Sequence, residues 1–269
     1  MQRVAVLGAG GRMGRVVCQA VSDDPEMELV AVVDPGFSGM DVMHVTGVKS
    51  GNLQFASDIG ELDRQGAEVV VDFTVADAAK ENMRWCATAG VHAVVGTTGL
   101  SPVDIDDLAS IFEVSSANCV VAANFAIGAV LMTRFCELAA PFMDGVEIIE
   151  LHHNDKIDAP SGTAIHTAQL IAAARQQSTS GSFATDPTTT TAIEGSRGGS
   201  GPGDIHVHSV RLPGLVAHQE VLFGAVGQSL TIRHDAYDRT SFMPGVLIAV
   251  RAVPLRRGLT VGLGQLLGF

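Results

Sequence analysis

Two histidines, a lysine and a Pro-Ser-Gly-Thr turn fall within the segment Glu150 to Thr163, directly after the apolar run Val146 to Ile149. A histidine titrates near neutral pH and can shuttle a proton, while a lysine carries a fixed positive charge. His152, His153 and Lys156 therefore make a cluster suited to moving protons beside an anion. The turn Ser161-Gly162-Thr163 opens a helical pattern from Ala164 to Gln176. Backbone N–H groups at such a helix start lack intrahelical partners and suit a carboxylate or phosphate. Any one of these histidines alone reads as a solvated loop residue. The cluster reads as chemistry.

A second constellation lies at the other end of the chain. Arg3 to Leu7 is a short β-type apolar run, followed by Gly8-Ala9-Gly10-Gly11-Arg12-Met13-Gly14 and a helical pattern through Val21. Strand, glycine turn and helix in that order make a dinucleotide fingerprint meaningful. Gly8 permits the tight turn, and Gly10 and Gly11 let the backbone approach a pyrophosphate at the helix N-terminus. Read strictly as G-x-G-x-x-G, the third position is Met13, with Gly14 one residue late. The next strand, Glu28 to Val33, ends at Asp34, where an acidic residue accepts hydrogen bonds from the adenosine ribose. Pro35 follows, so no cation stands beside Asp34 in sequence. That favours NADH with NADPH tolerated, and Arg12 is the cation expected near the adenosine end.

The elements that must position these groups alternate through the first half. Strand-like runs Val69–Phe73, Val91–Val95 and Cys119–Ala123 are separated by helical patterns at Ala76–Ala89 and Pro102–Val114. This rhythm predicts a parallel sheet with ligands at the carboxyl ends of its strands. Thr74, Gly96, Thr97, Thr98 and Asn124 fall at such ends and are expected to line the cofactor. A long helix is expected from Ala126 to Phe142, then a strand from Val146 to Leu151. Residues 178 to 204 are mostly Ser, Thr and Gly and read as a long mobile loop. Three strand-like segments, Ile205–Leu212, His218–Gly224 and Ser229–His234, suggest an antiparallel meander. An open sheet of this kind must have its unpaired edge or face covered, commonly by another subunit. His206 and His208 share a face of the first segment, but no third ligand at suitable spacing makes them a metal site. An apolar helix around Phe242 to Val253 and a Leu-rich tail end the chain.

Composition excludes several classes of function. Apolar residues make up 46% of the 269 residues and aromatics only 5%, as suits an α/β fold built on Val, Ala and Ile. A net charge of −12 with no basic stretch argues against nucleic acid, while leaving room for a local cationic pocket. Cys18, Cys86, Cys119 and Cys136 are widely spaced and read as reduced thiols, with no C-x-x-C pair for zinc or redox work. No uncharged apolar run approaches the roughly 18 residues of a membrane span. The N-terminus runs straight into the first strand without a signal peptide, so a cytoplasmic protein is expected.

Gly-Ala-Gly-Gly-Arg-Met-Gly, Gly-Thr-Thr-Gly at 96 to 99, Ala-Ala-Asn-Phe at 122 to 125 and the His-His…Lys…Asp-Ala-Pro-Ser-Gly-Thr segment together resemble the 4-hydroxy-tetrahydrodipicolinate (dihydrodipicolinate) reductase family. The resemblance continues through His-Ser-Val-Arg-Leu-Pro-Gly at 208 to 214 and His-Asp-Ala-Tyr-Asp-Arg-Thr-Ser-Phe at 234 to 242. It implies an α/β fold: a Rossmann-like parallel-sheet nucleotide domain over 1–126 plus 238–269, and a second α+β domain over 127–237. The second domain would carry a mixed, largely antiparallel sheet, bind substrate and pair into a homotetramer. By position, His152 would be the acid/base and Lys156 the proton donor, with His153, Gly162 and Thr163 holding a small dicarboxylate substrate. Gly8, Ala9, Gly10, Gly11, Arg12, Met13, Asp34, Gly96, Thr97, Thr98, Ala122, Ala123, Asn124 and Phe125 would contact NADH or NADPH. Pro35 stands where many relatives carry Arg, which weighs against strong NADPH use. Two other readings share part of this pattern. Another two-domain NAD(P) dehydrogenase of an amino or oxo acid would not require the cluster from His152 to Thr163. A non-catalytic NADH sensor would not require a proton donor.

Overall fold

The computed structural model describes residues 1–49 and 51–269. In chain order the first elements are β1 (Gln2–Leu7), α1 (Arg12–Asp23), β2 (Met27–Val33), α2 (Val42–Thr46), β3 (Phe55–Ala56) and β4 (Val69–Asp72). They continue with α3 (Ala76–Ala89), β5 (His92–Val95), α4 (Pro102–Val114), β6 (Cys119–Val121) and α5 (Ile127–Ala139). Next come β7 (Gly145–His152), α6 (Gly162–Gln176), β8 (Gly199–Ser200), β9 (His206–Arg211), β10 (Ala217–Ala225) and β11 (Gln228–Ala236). The chain closes with α7 (Met243–Ala252), β12 (Leu259–Val261) and α8 (Gly264–Leu267). Two compact units result, one made of Met1–Ile127 with Arg239–Phe269 and the other of Gly128–Asp238.

The first unit is a seven-stranded sheet in the order β12-β6-β5-β4-β1-β2-β3, and all its recorded strand pairs are parallel. Its strands read as continuous Val/Ala runs because helices cover both faces; β4 is buried at all four positions. Helix starts and stops follow local chemistry. Ser101 and Asp104 form a reciprocal capping box at the start of α4, and Gly90 ends α3 in a left-handed conformation. The core joins Leu7, Val70 and Val95 of the strands to Met83 and Cys86 of α3 and Leu108 and Phe112 of α4. The Leu-rich tail is not irregular: Leu259–Val261 pairs with Cys119–Val121 and forms the sheet's outer strand. Three residues are too few to show periodicity in sequence, and only the partner strand defines them.

In the second unit five strands lie in the order β11-β10-β7-β9-β8. The expected meander is therefore corrected. β10 and β11 form an antiparallel hairpin, but β9 pairs in parallel with the far edge of β7, and β7 separates it from β10. Alternation fixes which face a strand buries, not which neighbour it takes. On the buried face Ile148, Val207, Val221 and Phe223 meet Met132 and Cys136 of α5 and Ala168 and Ile171 of α6. Glu150 and His152 share that face by their two-residue spacing. On the opposite face Ile149, Leu151, Val210 and Leu222 are only half-buried, beside Glu147, His208 and Glu220.

The segment 178–204 is tied down at both ends. Arg175 donates to the carbonyls of Met143 (2.9 Å) and Gly181 (2.8 Å), and its guanidinium lies 4.9 Å over the Phe183 ring. Arg197 pairs with both Glu147 and Asp186. His206 faces Asp186 at 3.1 Å and His208 faces Glu147 at 2.8 Å. Its longest wholly exposed stretch is residues 187–196. Among the described residues no helix is long and apolar enough to cross a membrane.

Candidate active site

β7 carries its apolar residues into the core up to Ile148, then places two polar side chains on the same face. Glu150 is completely buried and His152 is half-buried. His152 Nδ1 lies 2.5 Å from Glu150 Oε2. Arg211, directly opposite His152 on β9, donates to both Glu150 oxygens at 2.8 Å. The Ser161 backbone N–H reaches Glu150 Oε1 at 3.2 Å. Burial alone would raise the Glu150 carboxyl, but hydrogen bonds from His152, Arg211 and Ser209 outweigh it and hold it down at about 2. An ionised carboxylate only accepts, so Nδ1 of His152 carries the proton in this pair. Nε2 has no protein partner among the described residues and is the nitrogen left for chemistry.

The loop after β7 is built around the same arginine. Arg211 Nη2 also donates to the Asp158 carbonyl at 2.7 Å. The Asp158 carboxylate receives Lys156 Nζ at 2.8 Å on both oxygens, and this bond lowers the Asp158 carboxyl. Ser161 caps α6, its Oγ accepting from Ala164 N at 3.2 Å. The N–H groups of Gly162 and Thr163 occupy the first turn, where no intrahelical acceptor exists. No acidic residue sits in that turn to compete for the site. A carboxylate held there would meet two free donors and the positive end of a four-turn helix. His153 and Thr163 are half-buried and Gly162 is exposed, with open space around the position of a side chain.

In the first unit the glycine turn leaves β1 and enters α1. Gly8 has φ +68°, a conformation that favours glycine. Gly11 is the N-cap of α1, without a side-chain cap, so the helix start is open. Gly14, not Met13, performs the packing role of the third glycine. A Cβ there would sit 2.6 Å from Ala9 Cα and 2.7 Å from the Gly8 carbonyl carbon. The spacing is G-x-x-G-x-x-G, which a search for the commoner pattern misreads by one residue. Asp34 accepts from Gly10 N at 3.0 Å and Gly36 N at 3.1 Å, placing its carboxylate beside the turn. These residues fit a dinucleotide: a glycine cradle, an open helix start and a carboxylate at the ribose position.

The other residues expected to line the cofactor lie along the carboxyl edge of the same sheet. The Gly96 N–H donates to Asp72 O, and Thr97 is buried with its hydroxyl donated to Thr74 O at 3.1 Å. Thr98 and Ala123 are exposed at that edge, while Ala122 and Phe125 are buried. Asn124 Oδ1 accepts from Ala126 N, fixing the turn after β6. Ala9 is fully buried and Arg12 is exposed. Arg15 is the cation on this side: its Nε donates to Gly10 O at 2.7 Å and its guanidinium lies 5.5 Å from the Phe37 ring centre. Phe37 in turn packs against Gly10, where a Cβ would overlap its ring.

Sequence reading passed over Glu150, Arg211, Asp158, Asp72, Phe37 and Arg15. Asp72 was visible as a lone acid ending the run Val69–Val71, and its carboxylate accepts from Thr74 N, Thr74 Oγ1 and Asn82 Nδ2. Glu150 was visible as the one acid on the buried face of β7. Arg211 carried no signal, since only the parallel pairing of β9 brings it to His152.

Comparison with known proteins agrees with this geometry. Family models described as dihydrodipicolinate reductase, N-terminus and C-terminus, match residues 2–125 and 128–267. The 4-hydroxy-tetrahydrodipicolinate reductase of Cutibacterium acnes is 50% identical over 272 residues, covering 100% of this chain and 99% of that protein. The reductase of the same name from Synechocystis is 46% identical, covering 98% and 97%. The solved structure of a dipicolinate-bound dihydrodipicolinate reductase from Paenisporosarcina sp. TG-14 aligns with TM-score 0.85 at 40% identity, covering 98% and 99%. An amine dehydrogenase from Mycobacterium smegmatis, 15% identical at TM-score 0.63, shares the fold alone. With both halves matched and identity this high over full length, the chain belongs to the dihydrodipicolinate reductase family.

Proposed function

We propose that this protein reduces 4-hydroxy-tetrahydrodipicolinate to tetrahydrodipicolinate, in the diaminopimelate route to lysine, with His152 and Lys156 handling the protons. The chain is an NAD(P)H-dependent oxidoreductase of its family, and the observation that carries the assignment is full-length identity to reductases of this name. The dinucleotide, bound at the glycine turn, supplies the hydride. Everything else falls to the chain's own residues. A hydride donor brings no proton, so a positioned acid must supply one to the atom that gains electron density. His152 presents Nε2 for that purpose, giving its proton from the doubly protonated ring while Nδ1–H stays on Glu150, which leaves the neutral Nδ1–H tautomer behind. Lys156 is held by Asp158, and a substrate carboxylate competes for the same ammonium. Gly162 and Thr163 offer backbone donors to a second carboxylate, and His153 adds a further polar contact. The unit Gly128–Asp238 is thus the substrate domain, and Met1–Ile127 with Arg239–Phe269 the dinucleotide domain.

The half-buried apolar residues on the free face of the second sheet support a homotetramer built by pairing these sheets. Light scattering on the purified protein reads the assembly directly. The activity test is NADH oxidation with the condensation product of pyruvate and aspartate semialdehyde. His152→Gln is expected to bind NADH normally and lose about 10²- to 10⁴-fold in kcat. Intact kcat with only KM raised would make His152 a binding residue.

A further inference from the structure

We infer that Glu150 is a positioning residue of the reductase: fixed by Arg211 and the Ser161 N–H, it holds the His152 proton on Nδ1 and so leaves Nε2 as the nitrogen that exchanges with substrate. The inference rests on the reading of His152 as the acid, and deepens it. Glu150 is fully buried, and its two oxygens accept from His152, both terminal Arg211 nitrogens and the Ser161 backbone. A buried carboxylate this well paired is held in one geometry and one charge state.

The geometry assigns the tautomer. A neutral imidazole carries one proton, and which nitrogen bears it follows from the partner of the other. With Glu150 2.5 Å from Nδ1, the opposite tautomer would set a bare nitrogen against a carboxylate in a dry site. The same carboxylate also anchors Ser161, whose side chain caps α6. One buried group therefore fixes the acid on β7 and the start of the helix whose free N–H groups face substrate. Arg211 completes the arrangement from β9 and extends it to the Asp158 carbonyl, next to the partner of Lys156.

Glu150→Gln tests this with little change in shape. Its amide nitrogen faces Arg211 or His152, donor against donor, and the ring loses its fixed partner. kcat is expected to fall about 10- to 100-fold, as for carboxylates behind ligating histidines. The NADH dissociation constant, read by cofactor fluorescence, should stay unchanged. The double variant with His152→Gln should lose no more than His152→Gln alone, because both act through one ring. If His152→Gln itself leaves kcat intact, the functional reading fails. If it lowers kcat while Glu150→Gln does not, or if the two losses multiply, this inference fails and the functional reading stands. A measurement on the wild type needs no folded variant of Glu150. The ¹⁵N spectrum of histidine-labelled protein at alkaline pH should show the His152 ring protonated at Nδ1, and protonation at Nε2 overturns the proposal.

Discussion

Gly14→Ala should weaken NADH binding and stability together, although alanine is the better helix former. The substitution adds one methyl inside α1, which alone would stabilise the helix by about 0.5–1 kcal/mol. The methyl, however, would lie 2.6 Å from Ala9 Cα and 2.7 Å from the Gly8 carbonyl carbon, where real side chains keep at least 3.0 Å. Its neighbours are backbone and cannot rotate away, so α1 must lift off the turn by about half an ångström or more. Overpacking costs about 1–3 kcal/mol, and a clash against backbone belongs in the upper half of that range, so about 1–2 kcal/mol is lost after a helix gain of up to about 1 kcal/mol. At about 2–4 °C per kcal/mol for a domain of 150–250 residues, the melting temperature should fall by about 2–8 °C. The Gly8–Gly11 turn is the part displaced, so NADH affinity should drop about tenfold, equivalent to about 1.4 kcal/mol. Differential scanning fluorimetry and NADH fluorescence titration read the two effects. Gly162→Ala is the control: it has open space and should not lower the melting temperature. Unchanged melting and NADH affinity in Gly14→Ala would refute the packing role assigned to this glycine.

Cofactor preference should follow Asp34 and Arg15. NADH is expected to bind at least as tightly as NADPH; Asp34→Ala should shift preference towards NADPH and Arg15→Gln away from it, with Arg12→Gln the smaller effect in paired titrations. Acid stability should depend on Glu150. Its carboxyl is depressed when folded, so its stabilisation is complete above the unfolded value near 4.5 and is lost as pH falls from there towards about 2. The loss amounts to at most about 3 kcal/mol. Urea titrations across that window should show a steep decline for the wild type and a flatter one for Glu150→Gln. Equal slopes would remove Glu150 as its source.

What the sequence revealed and what it hid divide along local and non-local physics. The first half was legible because each step, strand to glycine turn to helix, is written within about 30 residues of chain. Val69–Val71 could be placed as a buried strand from its run of valines alone. The position of β9 could not, since parallel pairing to β7 joins His206 to Glu147 across a long stretch that includes α6. The resemblance named His152 and Lys156, and their partners Glu150 and Asp158 lie only two residues away, but the arginine that joins those partners depends on that pairing. Arg211 meets Glu150 only because β9 lies on the opposite edge of β7 from β10. Gly14 was misjudged for a smaller reason: the turn holds one residue more than the commoner fingerprint. Arg15 was passed over because linear nearness to the glycines says nothing of side-chain direction along a helix.

The strand Leu259–Val261 has a consequence for synthesis on the ribosome. The unit Gly128–Asp238 is one uninterrupted stretch, complete in itself once it emerges. The nucleotide-binding unit waits for Arg239–Phe269, and until then β6 presents an open edge to the solvent. At about 5–20 residues per second that interval lasts only a few seconds. A message truncated before the codons of Leu259–Val261 makes the exposure permanent, releasing a polypeptide with a finished second unit and a self-adhesive parallel sheet. Loss of Leu259–Val261 would therefore register in the cell as aggregation rather than as a slower enzyme.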